Sequence, residues 1–285
     1  MPRADDPAIN RRRLSTDLRR ARDKSGLTQH QAAEALEWSV SKIIRIEKGT
    51  VGLSVTDLRA MLQEYRVEDP EQVASLEQAA RHSKGQSWWV DYRDVIGPKF
   101  ALYLGYEGAA TVIRAFHPIY FPGFLQTTDY TMALMEPEGS PDRARRTAEL
   151  RTARQERLFE EPDGPETYFI VDEAAIHRQI GGPPVMRQQL RYVRGLMARD
   201  RVRVRVLPFT AGAHFSTIGS FALLSFADDE DLVNVEAMTG TLASRDDREL
   251  IANYQECFEF LDQKALSDQE TAEMIDRALE ALGTS

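Results

Sequence analysis

The chain has 285 residues, 42% hydrophobic and 28% charged, with a formal net charge of −9; this is the profile of a soluble globular protein with room for two ordinary domains, which excludes disordered and fibrous classes. No apolar run is long enough for a membrane span, and Met1-Pro2-Arg3-Ala4-Asp5-Asp6 has no secretory apolar stretch behind it. The single cysteine, Cys257, can form neither an internal disulfide nor a zinc cluster, so a reducing cytoplasm is the expected location.

The charge is unevenly spread. Residues 1–66 hold thirteen Lys or Arg against nine Asp or Glu, a net of +4, which leaves −13 for the remainder. A basic head on an acidic body permits a nucleic-acid partner despite the overall sign. Charge alone fits a chance fluctuation of solvated surface equally well.

In chain order, Leu14, Leu18 and Ala21 form one apolar stripe, with Arg12, Arg13, Arg19, Arg20 and Arg22 around it, and Gly26 stops this first helix. Thr28 caps a second helix with Gln31 completing a capping box, and that helix runs to about Leu36. Ser39 caps a third, ending at Gly49; Ser54 caps a fourth; and Asp69-Pro70 starts a fifth with proline at the first helical position. Small and polar residues at Ser83-Lys84-Gly85-Gln86-Ser87 mark a boundary, so residues 1–85 and 86–285 are the expected domains. Beyond it, Trp88-Trp89, Tyr92, Phe100, Tyr103 and Tyr106 give an aromatic, helical opening. Strands are expected at 111–116, 167–171, 202–207, 221–226 and 232–235, and helices at 143–159, 184–199, 245–261 and 268–282. The fold expected is an all-α five-helix domain followed by an α+β domain.

The second and third helices carry the informative pattern. Ala32 and Leu36 turn inward from one, Ile43 and Ile46 from the other, Ala33 is small where they cross, and Trp38 plugs the connection. Val40, Ser41, Lys42 and Arg45 then project from the third helix, about Val40–Lys48, the element that a helix-turn-helix inserts into the major groove. Arg45 suits a bidentate pair with guanine or a phosphate, and Lys42 a phosphate or guanine O6. Ser41 suits a base edge or phosphate, and Val40 a thymine methyl. Gln29 suits a phosphate at the start of the second helix. With Ser39 at the cap, these six residues are the candidate DNA-binding set; an amphipathic pair with a solvated charged face is the plainer alternative.

From Leu27-Thr28-Gln29 to Ile43-Ile44-Arg45-Ile46-Glu47-Lys48-Gly49 this stretch resembles the lambda repressor/Cro-like (XRE) helix-turn-helix family, over about residues 10–70. It departs in two places. Glu37 stands where the family usually has the glycine of the turn, suggesting a turn that a non-glycine can accept, and Val40 occupies a position often held by a polar base reader.

A second resemblance covers most of residues 86–285, in Trp88-Trp89, Glu107-Gly108-Ala109-Ala110, Pro122-Gly123-Phe124-Leu125-Gln126-Thr127 and Arg154-Gln155, then Asp172-Glu173-Ala174-Ala175, Gln188-Gln189-Leu190 and Leu207 to His214. In that order these motifs resemble the large C-terminal domain of unknown function of many actinobacterial XRE regulators, including WhiJ-type and antitoxin-like ones. The resemblance implies transcription control, with a small protein partner.

Other functions have weaker support. Histidines 30, 82, 117, 177 and 214 lack metal-ligand spacing, and Cys257 sits in an amphipathic helix as a buried or half-buried thiol. Asp172-Glu173 fit the first turn of a helix, and Gly181-Gly182-Pro183-Pro184 a turn between helices rather than a phosphate loop. An enzyme, a metal site and a cofactor are therefore not expected. Loops Pro122-Gly123-Phe124 and 211–215 can line a pocket for a small-molecule effector, while the acidic body suits a basic protein partner. A homodimer is expected, because one recognition helix reads only a few base pairs.

Overall fold

Helix-forming chemistry in the first part of the chain is local and explicit. In the computed structural model, which describes residues 7–214, 219–227, 231–237, 240–244 and 247–283, α1 (Pro7–Ser25) ends where Gly26 takes φ +76°. That left-handed conformation suits a residue without Cβ. The capping box of Thr28 and Gln31 begins α2 (Gln29–Ala35), and the Ser39 hydroxyl accepts from Lys42 N at the start of α3 (Val40–Glu47). Ser54 caps α4 (Val55–Glu64), and Asp69 caps α5 (Pro70–His82) with proline in its first turn. The five helices enclose Leu14, Leu18, Ala32, Ala33, Ile43, Ile46, Leu58, Met61 and Leu76, while Leu27, Leu36 and Trp38 close the edge of this core half-buried. Residues 1–6, where no secretory stretch is expected, Phe215 of the expected loop and Arg245 of the expected helix start lie outside the described residues.

The Ser83–Ser87 segment is not an open linker. Ser83 and Ser87 are buried, and Arg11 donates to the Ser83 carbonyl at 2.9 Å and to the Ser87 hydroxyl. The Ser83 hydroxyl in turn accepts from Leu53 N. Small polar residues interrupt the helical period here, but their hydrogen bonds fold the segment onto α1. The two compact units are Met1–Asp91 with Leu104–Ala109, and Tyr92–Tyr103 with Ala110–Ser285, so α6 (Pro98–Ala109) is divided between them rather than the chain passing once at residue 85.

The second unit is built on a six-stranded mixed sheet of order β3-β2-β1-β4-β5-β6. Its strands are β1 (Val112–His117), β2 (Glu166–Asp172), β3 (Val202–Leu207), β4 (Phe221–Ser225), β5 (Leu232–Ala237) and β6 (Gly240–Ser244). β1, β2 and β3 are parallel, linked by crossovers through α7 (Thr128–Met135) and α8 (Pro141–Gln155), then through α9 (Glu173–His177) and α10 (Gly182–Leu196). β4, β5 and β6 continue antiparallel from the other side of β1. The chain closes with α11 (Arg248–Lys264) and α12 (Asp268–Ala281), and α11 buries Ile251, Phe258 and Leu261 against Phe116, Ile170, Phe221 and Val233. Cys257 packs half-buried at the edge of this cluster. Asp172 caps α9 through Ala174 N, as an acidic residue after a strand should. α7, α9 and β6 are too short or too weakly patterned to have been read from periodicity.

Candidate functional site

The helix-turn-helix is assembled around one buried ion pair. Glu47, 5% exposed at the end of α3, takes two hydrogen bonds from Arg22 of α1, Nε to Oε1 at 2.7 Å and Nη2 to Oε2 at 3.0 Å. Arg22 also donates to the Leu27 carbonyl at 2.8 Å. The Gln29 amide of α2 donates to Glu47 Oε2 at 2.9 Å, so three helices meet on one carboxylate. The hydrogen bond it donates to Glu47 holds the Arg22 guanidinium above its ordinary range against the opposing effect of burial. The Tyr65 phenol is buried too, and loss of solvation pushes its ionisation upward.

The structure places the six candidate DNA-facing residues unequally. Ser41 and Arg45 are exposed on one face of α3, with Ile43 and Ile46 buried beneath. Among the described residues, the Arg45 guanidinium makes one hydrogen bond, 3.4 Å from Nε to the Ser41 carbonyl. Lys42 is half-exposed: its Nζ lies 3.3 Å from the Trp38 ring centroid and 3.4 Å from Asp57 Oδ2. Ser39 uses its hydroxyl on the cap, and Gln29 gives its amide to Glu47 instead of projecting it. Val40, expected to project outward, is half-buried against the core, because the first turn of α3 leans on the helical bundle. The outward-facing set is therefore Ser41 and Arg45, with Lys42 beside them. Sequence reasoning missed the Arg22–Glu47–Gln29 linkage; its partners are too far apart for any local pattern.

The turn between α2 and α3 is left-handed at Glu37, with φ +54°. An L residue with a side chain is strained there. The turn thus has the left-handed geometry that suits glycine, and the glutamate tolerates it at a cost instead of relaxing it. Glu37→Gly is expected to stabilise the helical unit by about 0.5–1 kcal/mol, net of glycine's larger unfolded-state entropy. Chemical denaturation checks this, and an unchanged or lower midpoint would contradict the strain.

In the second unit, motifs far apart in sequence meet at the loop after β1. Gln126 donates to the Phe121 carbonyl and accepts from Thr131 and Arg151. Gln155 donates to the Gly123 and Gln126 carbonyls at 3.2 and 2.7 Å. Gln189 accepts from Thr127 N and donates to the Leu125 carbonyl. Three glutamines from a loop and two helices thereby bond backbone groups of Phe121–Thr127, which forms no ladder of its own. Glu173 ties α9 to the next motif, accepting from Phe209 N at 2.7 Å. Among the described residues, no group of three or more His, Cys, Asp or Glu is placed to hold a metal, and no helix is long and apolar enough to cross a membrane.

Residues 13–76 match a family described as a helix-turn-helix domain, and residues 100–277 match a domain of unknown function, DUF5753. No curated protein and no solved structure matches the chain. The first match agrees with the capped pair α2–α3 and its buried apolar faces; the second takes in all six strands and every motif of the glutamine-clamped loop. The chain belongs to the DUF5753 family and carries an XRE-like helix-turn-helix ahead of that domain, as a DNA-binding regulator.

Proposed function

We propose that the chain is a sequence-specific regulator of transcription whose α3 enters the major groove of double-stranded DNA. Arg45 and Ser41 face the base edges, and Lys42 a phosphate. The observation that carries this is the exposure of Ser41 and Arg45 on one face of α3, above a buried Ile43–Ile46 face. A homodimer spans two half-sites, and DNA-bound copies sit on the nucleoid within the cytoplasm. Phosphate contacts supply much of the affinity, so a gel shift on the region upstream of its own coding sequence should weaken steeply and linearly in log salt. Absent or salt-insensitive binding would overturn the assignment, and a monomer by light scattering would overturn the dimer.

The second domain in this reading is regulatory, not catalytic, and uses no metal or cofactor. A cavity of about 230 Å³ within it favours a small-molecule effector. The net charge of −13 beyond residue 66 favours the other reading, antitoxin-like control by a small basic protein partner. Copurification from the native host separates the two, since one predicts a bound metabolite and the other a second polypeptide.

A further inference from the structure

The cavity of the second domain lies on one face of the sheet, and its floor is set by strand register. Ala115 on β1 stands opposite Ala222 on β4, which stands opposite Asn234 on β5. The same row starts with Val204 on β3 and Phe169 on β2. Phe169 is filled in by Phe124, at 5.7 Å between rings, whereas the two alanines leave the space above them open. Phe100, Tyr103 and Phe124 form apolar walls.

Asn234 points to what the space accepts. Asparagine is disfavoured inside a strand, yet this one is 4% exposed, and its Oδ1 has no hydrogen-bond partner among the described residues. Valine or alanine, as at neighbouring positions of the sheet, would avoid a buried unsatisfied acceptor. Gln126, at 2% exposed, lines the same cavity with both ends of its amide engaged.

The opposite wall is cationic. Arg151 and Arg154 line it. The Arg154 guanidinium carbon lies 4.3 Å from the Phe124 ring centroid and 5.2 Å from that of Phe100, within cation–π range of both. Gly123 makes room for the pair, because a Cβ there would stand 3.2 Å from Arg151 Nε and 3.6 Å from Arg154 Nη1.

We propose that this cavity binds a small aromatic or heteroaromatic carboxylate. The ring lies over Ala115 and Ala222, the carboxylate faces Arg151 and Arg154, and a hydroxyl or amino group on the ring donates to Asn234 Oδ1. A cavity of about 150 Å³ holds a bare benzene ring, so 230 Å³ takes one ring with two small substituents. The site stands on its own geometry; its regulatory meaning rests on the reading that a small molecule controls DNA binding.

The test uses the full chain with 4-hydroxybenzoate, 4-aminobenzoate, benzoate and phenol at millimolar concentration, by calorimetry and thermal shift. The two disubstituted acids should bind and raise the melting temperature, benzoate should bind about tenfold more weakly for want of the donor, and phenol should not bind. Asn234→Leu, which removes the orphan acceptor and keeps the branched shape, should melt no lower than wild type and bind the two disubstituted acids no better than benzoate. Failure of all four to bind wild-type protein overturns the site whether or not the variant folds, and so does binding that Asn234→Leu leaves unchanged. If the acids bind without changing affinity for the upstream DNA probe, the site stands and small-molecule control falls. If a different class of compound shifts DNA affinity while these acids do not bind, control stands and the proposed ligand falls.

Discussion

Glu47→Ala is expected to destabilise the helix-turn-helix unit by about 3–5 kcal/mol, the cost of leaving one half of a buried ion pair behind. A domain's whole stability is only about 5–15 kcal/mol, so this one change removes a large share of it. The reason is geometric: Arg22 keeps its place in the interior but loses two bonds at 2.7 and 3.0 Å, and Gln29 loses its acceptor at 2.9 Å. All three tryptophans, Trp38, Trp88 and Trp89, belong to this unit, so their fluorescence in a urea titration reports on it selectively. A double replacement, Arg22→Met with Glu47→Leu, should recover most of the loss, because an apolar pair of similar volume needs no desolvation of charge. A Glu47→Ala midpoint shift worth less than about 1 kcal/mol, the value of an exposed pair, would sink the account.

Arg45→Ala should leave that stability unchanged and weaken specific DNA binding by about 1–3 kcal/mol, a loss of roughly 5- to 150-fold. The guanidinium is exposed and, among the described residues, its one weak bond is to Ser41 of its own helix, so the fold gains little from it. Lys42→Ala should cost less. Its ammonium already pairs with Asp57 and covers the Trp38 ring, interactions worth about 0–1 kcal/mol that binding must give up. Gel shifts with both variants on specific and scrambled probes give the comparison. Retention of wild-type affinity and specificity by Arg45→Ala would remove α3 from the reading.

The two variants also divide the site by how it could be foreseen. Arg45 was legible from sequence, because a helix with Ile43 and Ile46 inward must turn positions 41 and 45 outward. Val40 was not, since one turn from the cap its side chain leans on neighbouring helices whose placement the local pattern does not contain. Glu47 was legible only as a family letter. Arg22 read as one of five arginines around the apolar stripe of α1, and the sequence did not show that it and Arg12 are buried. In the second domain, the spacing of β-branched and aromatic runs identified five of the strands, but not that β1 pairs in parallel with β2 and antiparallel with β4.

What the sequence by itself determined is therefore the local grammar. Thr28, Ser39, Ser54 and Asp69 start helices and Gly26 stops one, because each side chain, or its absence, acts on backbone groups within four residues. The periods of about 3.6 and 2 then separate helix from strand. Only the tertiary structure decided which charges go inside, how Gln126, Gln155 and Gln189 converge on one loop, and that two alanines share a row of the sheet with an asparagine whose Oδ1 has no hydrogen-bond partner among the described residues. Those arrangements depend on contacts between residues that the chain brings together only on folding, and no periodicity along the sequence encodes them.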